Sequence, residues 1–173
     1  MQFSLNKSLE ILERTPSVLS TFLKDLSPEW TETTEGEDTW TAKEVLAHLI
    51  ICEQTDWIPR FRVILSDDSD KVFAPIDMQA HFILANNNTM VQLLSQFEAE
   101  RKQGIAELLS YDLHDNDYTK TAIHPKLGEV SLQQLVATWV THDLTHIAQI
   151  TRVIAKQNAD LVGPFREYLS VLG

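Results

Sequence analysis

The sequence predicts an all-α fold: a four-helix bundle with a long connection before its last long helix. Three observations carry that reading. Apolar residues recur at intervals of three and four through four long segments, the spacing of one helix face. Two of those segments open on capping boxes, in which a Ser or Thr hydroxyl and a Glu or Gln side chain satisfy orphan backbone N–H groups reciprocally. Hydrophobic residues make up 43% of the chain while only five glycines and six prolines interrupt it, a balance that favours helix over a turn-rich β fold.

The first segment runs from Ser4 to Leu26, with Leu5, Leu9, Leu12, Leu19, Phe22, Leu23 and Leu26 on one face. Pro16 lies inside it and predicts a kink or a split. A loop, SPEWTETTEGEDTW, follows. The second helix begins at the capping box Thr41-Ala-Lys-Glu44 and continues to about Leu65, with Pro59 bending its last turns. The polar stretch SDDSDK ends it. The third spans Asp77 to Ser110, with Phe82, Met90, Leu93, Leu94, Phe97, Ile105 and Leu108 in register and Asn86-Asn87-Asn88 weakening its middle. A polar loop from Tyr111 to Val130 holds His114, His124 and Gly128. The fourth helix starts at Ser131-Leu-Gln-Gln134 and ends near Lys156.

Helices of this length extend about 36 Å at 1.5 Å per residue, which suits a compact bundle. The 111–130 connection exceeds the usual 2–8 residues, so it is expected to cover an end of the bundle or a site there. At 173 residues the chain is expected to be one domain, residues 1–173.

A net charge of −11 repels phosphate backbones, and no basic cluster longer than Arg101-Lys102 offsets it, so neither nucleic acid nor an anionic membrane is an expected partner. No apolar run approaches the ~20 residues of a membrane span. The opening MQFSLNKSLEILER lacks the apolar core of a signal peptide, and the one cysteine, Cys52, has no partner for an internal disulfide. A cytoplasmic location is the expectation.

The chemistry is concentrated in histidines. His142 and His146, in THDLTHIAQITR, are four residues apart and therefore only 40° offset on one helical face. That is the spacing of the HExxH metal helices, with Asp143 standing where their glutamate would be. Leu135, Trp139, Ile150 and Val153 lie near the same face, which points both imidazoles into the bundle. A buried imidazole needs hydrogen-bond partners or a metal. His48, in EVLAHLIICE, is the candidate third ligand, on a face with Thr41, Val45, Cys52 and Thr55.

The blander readings are explicit. His48 would serve equally as a hydrogen-bonded core histidine. Cys52, four residues on, offers a thiolate but more often acts as a small buried hydrophobe. Glu44 is explained by its cap. Glu53, 140° around the helix from His48, is expected to pair with Arg60 or with an arginine on another helix. His81, His114 and His124 read as solvated. Asp143 is an outer-shell candidate.

The stretches TWTAKEVLAHLIICEQTDWIPRFRVIL and HPKLGEVSLQQLVATWVTHDLTHIAQITRV resemble the DinB-like superfamily, which includes metal-dependent hydrolases called YfiT-like. The likeness covers nearly the whole chain. It implies a DinB/YfiT-type bundle with an up-up-down-down connection, a homodimer, and a metal triad of one histidine in the second helix with an HxxxH pair in the last. Carried onto this sequence, those positions are His48, His142 and His146. The family's damage-inducible name implies no DNA binding, in agreement with the charge.

Three imidazoles suit a divalent ion, zinc or nickel first, with iron, manganese or copper compatible. Such a site leads to two enzymatic expectations, a metal-dependent hydrolase or a low-molecular-weight thiol transferase, each acting on a small-molecule substrate. The alternative is a non-enzymatic metal-binding dimer of the stress response. A closed four-ligand site would favour the latter, an open one the former.

Overall fold

The computed structural model describes residues 3–173 and is built from four helical columns. The first is α1 (Leu5–Leu12) followed by α2 (Thr15–Leu23). Pro16 splits rather than bends the segment: it occupies the first turn of α2, where its missing N–H costs nothing. Leu9, Leu12, Leu19 and Leu23 are buried as expected, whereas Phe22 is 40% exposed and leaves the predicted face. The following loop is not wholly irregular, since Pro28–Thr31 forms a single turn, α3. Glu35 in that loop accepts from Arg152 Nε at 2.8 Å, and Gln157 Nε2 donates to the Trp30 carbonyl at 2.9 Å, docking the loop on the end of the last helix.

The second column is α4 (Ala42–Cys52), a π turn (Glu53–Trp57) and α5 (Ile58–Leu65). Its capping box forms as expected: Thr41 Oγ1 accepts from Glu44 N at 3.1 Å, and Glu44 Oε2 accepts from Thr41 N at 2.8 Å. Pro59 has no N–H for the carbonyl four residues back, and the wider π turn precedes it. That turn brings Glu53, Asp56 and Trp57 into the interior and leaves Thr55 outside, against the expectation that Thr55 shares the His48 face. Gly104 of the facing helix packs against this turn, where a Cβ would meet Ile58 Cγ1 at 3.4 Å and Glu53 Oε2 at 3.6 Å in ordinary van der Waals contact.

The predicted third helix is two, α6 (Ala80–Asn87) and α7 (Met90–Ser110). Asn88 and Thr89 are extended, and Thr89 caps α7 in a box with Gln92: Thr89 N donates to Gln92 Oε1 at 2.8 Å. The fourth column is α8 (Leu132–Lys156), whose Ser131–Gln134 box forms where the sequence placed it.

The connection between α7 and α8 is not a plain loop. It holds a 3₁₀ turn and an antiparallel hairpin, β1 (Thr121–His124) with β2 (Gly128–Ser131), pairing Thr121 with Ser131 and His124 with Gly128. Gly128 takes φ +78°, the left-handed conformation the tight turn needs, and His124 Nδ1 accepts from Lys126 N and Leu127 N. The hairpin also grips the α5–α6 linker: Ile123 N donates to Lys71 O at 2.7 Å and Phe73 N to Ile123 O at 3.0 Å.

α1 and α2 pack on α8 and α7 respectively, while α4 packs on α6, α7 and α8. The apolar interior has two parts. One gathers Trp57, Phe61, Trp139 and Leu132 at the hairpin end, the other Leu46, Leu49, Phe97 and Ile150. The predicted site residues lie on the α4 and α8 faces between them.

Candidate metal centre

α4 supplies His48, and α8 supplies His142 and His146 one turn apart. His48 and His146 are buried and His142 is half-buried. Their Nε2 atoms converge: His142 Nε2 lies 3.2 Å from that of His48 and 3.1 Å from that of His146. One donor atom from each residue falls within 4.8 Å of the others.

The surroundings fix how these rings present themselves. His146 Nδ1 faces the Gln149 side-chain oxygen at 2.7 Å, so Nδ1 carries the proton and donates it, leaving Nε2 as a bare lone pair. Gln149, half-buried one turn after His146, is a site residue the sequence reading overlooked. His142 Nδ1 is buried with no partner among the described residues. Burial, reinforced by the facing His146, lowers His48 to about 4 from the ordinary 6.5, and the same two causes lower His142 to about 3. The cluster is therefore uncharged at neutral pH.

This neutrality has a geometric consequence. His142 Nε2 bears either one proton or one lone pair, so it makes at most one good hydrogen bond among its two close nitrogen neighbours. The remaining contact is left without a good hydrogen bond in either tautomer of His142. Nitrogens bound at about 2.0–2.1 Å to a tetrahedral ion stand roughly 3.4 Å apart, close to the separations found here.

Cys52 completes the inner wall, its Sγ 3.5 Å from His48 Nε2 and 4.0 Å from His142 Nε2. Burial pushes its thiol well above the usual range. Aromatic rings form the flanks: Trp57 meets His142 edge-on at 5.0 Å, and Trp40 lies 5.1 Å from His48. His81 corrects the expectation of a solvated histidine. It is 1% exposed, packed 4.2 Å from Trp40 and 3.9 Å from Phe82. His114 is exposed and His124 closes the hairpin turn, so neither joins the cluster. On its outer side His142 opens on a shallow depression lined by Gln134, Ala137, Thr138, Thr141 and Thr145.

The nearby carboxylates are engaged elsewhere. Asp143 is fully buried and accepts two hydrogen bonds from Arg101, at 2.7 and 2.8 Å. Glu53 Oε1 accepts from the same guanidinium at 2.8 Å and from Trp139 Nε1 at 2.9 Å. Arg101 NH1 also donates to the Leu12 carbonyl at 2.8 Å, so one buried arginine ties all four columns together. Glu53 thus takes the arginine on another helix, and Arg60 pairs with Asp56 instead.

Comparisons with known proteins give a family and a fold. The model of the DinB superfamily matches residues 11–150. A Bacillus cereus protein named "Putative metal-dependent hydrolase" is 25% identical over 151 residues, covering 87% of this chain and 85% of that relative. A Bacillus mycoides protein of the same description is 24% identical over 155 residues, covering 89% and 87%. Among solved structures, YfiT from Bacillus subtilis, described as "a probable metal-dependent hydrolase with an unusual four-helix bundle topology", superposes with a TM-score of 0.76. It is 22% identical, and the match covers 91% of both chains.

Proposed function

The chain belongs to the DinB superfamily, and from that premise we propose that it is a metal-dependent hydrolase of small molecules, with His48, His142 and His146 as the metal ligands. The observation that carries this reading is the meeting of three neutral imidazole nitrogens at a point where their own protons cannot satisfy them. A divalent cation relieves that conflict, whereas core packing alone leaves it. Zinc and nickel are the first choices, with iron, manganese and copper compatible with an all-nitrogen donor set.

A divalent ion there would lower the pKa of water and polarise a substrate oxygen. The chain's own residues do the rest. Gln149 holds the His146 tautomer, Trp40 and Trp57 wall off the site, and the depression beside His142 admits a small substrate. His81, whose Nε2 has no partner among the described residues, stands 5.7 Å ring to ring from His48 as a neutral base.

One observation favours a second reaction at the same centre. Asp143, next to His142, and Glu53, which follows His48 on the same column, are committed to Arg101. Transfer of a low-molecular-weight thiol to an electrophile needs no carboxylate base, since a thiol ionises at the metal more readily than water does. The reading includes a homodimer in the cytoplasm, to be checked by analytical ultracentrifugation and by cell fractionation.

The test is metal analysis of the purified protein after equilibration with zinc or nickel. About one ion per chain is expected, lost in His142→Ala; a wild type that takes up none refutes the proposal. The loaded protein is then assayed on an ester panel and on a thiol with a chlorinated electrophile, and turnover in one arm distinguishes the two reactions.

A further inference from the structure

We infer that the pocket between the π turn and α7 binds a small primary ammonium group, with Glu53 Oε2 and Glu100 as its acceptors. Among the described residues Arg101 alone faces two buried carboxylates, those of Glu53 and Asp143, so this interior network carries a net charge of −1. A buried charge without a partner is costly. The shortfall falls on one atom: Asp143 receives hydrogen bonds on both oxygens and Glu53 on Oε1, while Glu53 Oε2 is buried with no partner among the described residues.

That carboxylate lines a cavity of about 230 Å³ together with Gln54, Arg62, Glu100, Gly104 and Glu107. Gly104 has no side chain to cover Oε2, which lies 3.6 Å from where a Cβ would stand. Glu107 and Arg62 neutralise each other through two contacts of 2.6 Å. Glu100 has no cation among the described residues. Its Oε1 accepts from Gln54 Nε2 at 2.6 Å, which leaves its second oxygen and Gln54 Oε1 without a donor among those residues. The cavity therefore offers acceptors and an excess of negative charge.

A primary ammonium matches this pattern. It is a compact point charge with three N–H donors and no acceptor, so one group serves both Glu53 Oε2 and Glu100 while cancelling the excess charge. A metal ion matches it less well, because among the described residues the one cluster of three histidine, cysteine or carboxylate donors within ligating reach of one another is the histidine triad. The volume lies below the ~300 Å³ at which drug-sized ligand sites begin, which limits the amine to a few carbons.

Proton NMR of the protein titrated with propylammonium chloride at constant ionic strength tests the site. Tetramethylammonium chloride, which carries the charge but no N–H, is the control. Trp139 supplies the readout, because its indole Nε1 donates to Glu53 Oε1 at 2.9 Å and senses the charge on that carboxylate. The expected result is a saturable shift of the Trp139 indole signal with propylammonium and none with tetramethylammonium. Glu100 is half-buried at the rim, so Glu100→Gln should fold, and it should weaken the amine roughly tenfold through loss of one charge-assisted acceptor. Equal shifts with both cations would mean that a chain of net charge −11 merely attracts positive charge, and no shift would mean that a proton or solvent satisfies Oε2. Either result overturns the site, as does an amine affinity unchanged in Glu100→Gln. None of these outcomes bears on metal uptake by the three histidines, which is measured separately.

Discussion

Replacing Arg101 with Met should cost about 3–5 kcal/mol of folding stability, the range found when one partner of a buried ion pair is removed. The structure says why the upper part of that range applies. The guanidinium is 1% exposed and donates at 2.7–2.8 Å to the Leu12 carbonyl, to both oxygens of Asp143 and to Glu53 Oε1. Methionine fills the volume but leaves two carboxylates in the interior with no cation. At about 2–4 °C per kcal/mol for a chain of this size, the midpoint of thermal unfolding should fall by roughly 6–20 °C. Urea unfolding at pH 7 measures the loss directly. The triple variant Arg101→Met, Glu53→Gln, Asp143→Asn removes the orphaned charges and should recover most of it, since replacing buried ions wholesale is often neutral. The single variant should also lose less at acid pH. Burial already raises the Glu53 carboxyl and Arg101 opposes that rise, so without the cation the stability is present when Glu53 is protonated and disappears as pH rises. A loss below about 1 kcal/mol in the single variant, or a triple variant no better than the single, would refute this account.

Gln149→Leu removes the acceptor that holds the His146 tautomer and should weaken zinc binding by roughly 10–100-fold in a competition titration, while the melting temperature changes little; unchanged affinity would show that Gln149 plays no such part. In the metal-free protein, His48 and His142 have folded-state values of about 4 and 3, below the ordinary 6.5. Their contribution to stability is thus complete above pH 6.5 and is lost as pH falls towards those values. Their ring-proton NMR signals should stay flat from pH 8 to pH 5, and a midpoint near 6.5 for either would contradict the burial argument. Thr89→Ala should cost about 1 kcal/mol in urea unfolding by uncapping α7, with metal uptake unaffected; a neutral result would mean the box with Gln92 adds nothing.

What could be read from the sequence was what local spacing determines. The Thr41 and Ser131 boxes, the four apolar faces and the 40° offset of His142 and His146 all depend on residues within one or two turns of each other. His48 needed only that the second and fourth columns face one another. The π turn at Glu53–Trp57 was hidden because Pro59 suggests a bend without saying how the chain absorbs it. The break at Asn88 carried its own signal, Thr89-Met-Val-Gln92, overridden by apolar periodicity that runs in register through both helices. The hairpin strands have four residues each, too few to display alternation, and their grip on Lys71 and Phe73 is remote in sequence. Arg101 looked like half of a surface basic pair, and only the opposed Asp143 and Glu53 turn it into a buried group. Similarly, Trp40 and Phe82 decide the burial of His81, and neither adjoins it on a common helical face that sequence alone could align.

The contact of Ile123 with Lys71 and Phe73 makes the α5–α6 and α7–α8 connections a single mechanical unit. Neither can open without breaking hydrogen bonds to the other. Their amides should accordingly exchange with solvent at a common rate, slower than the exposed polar stretch Asp67–Asp70 just before the contact. A protease cut within that stretch would leave the severed end still clasped by β1, and the nicked protein would run as one species until denaturant was added.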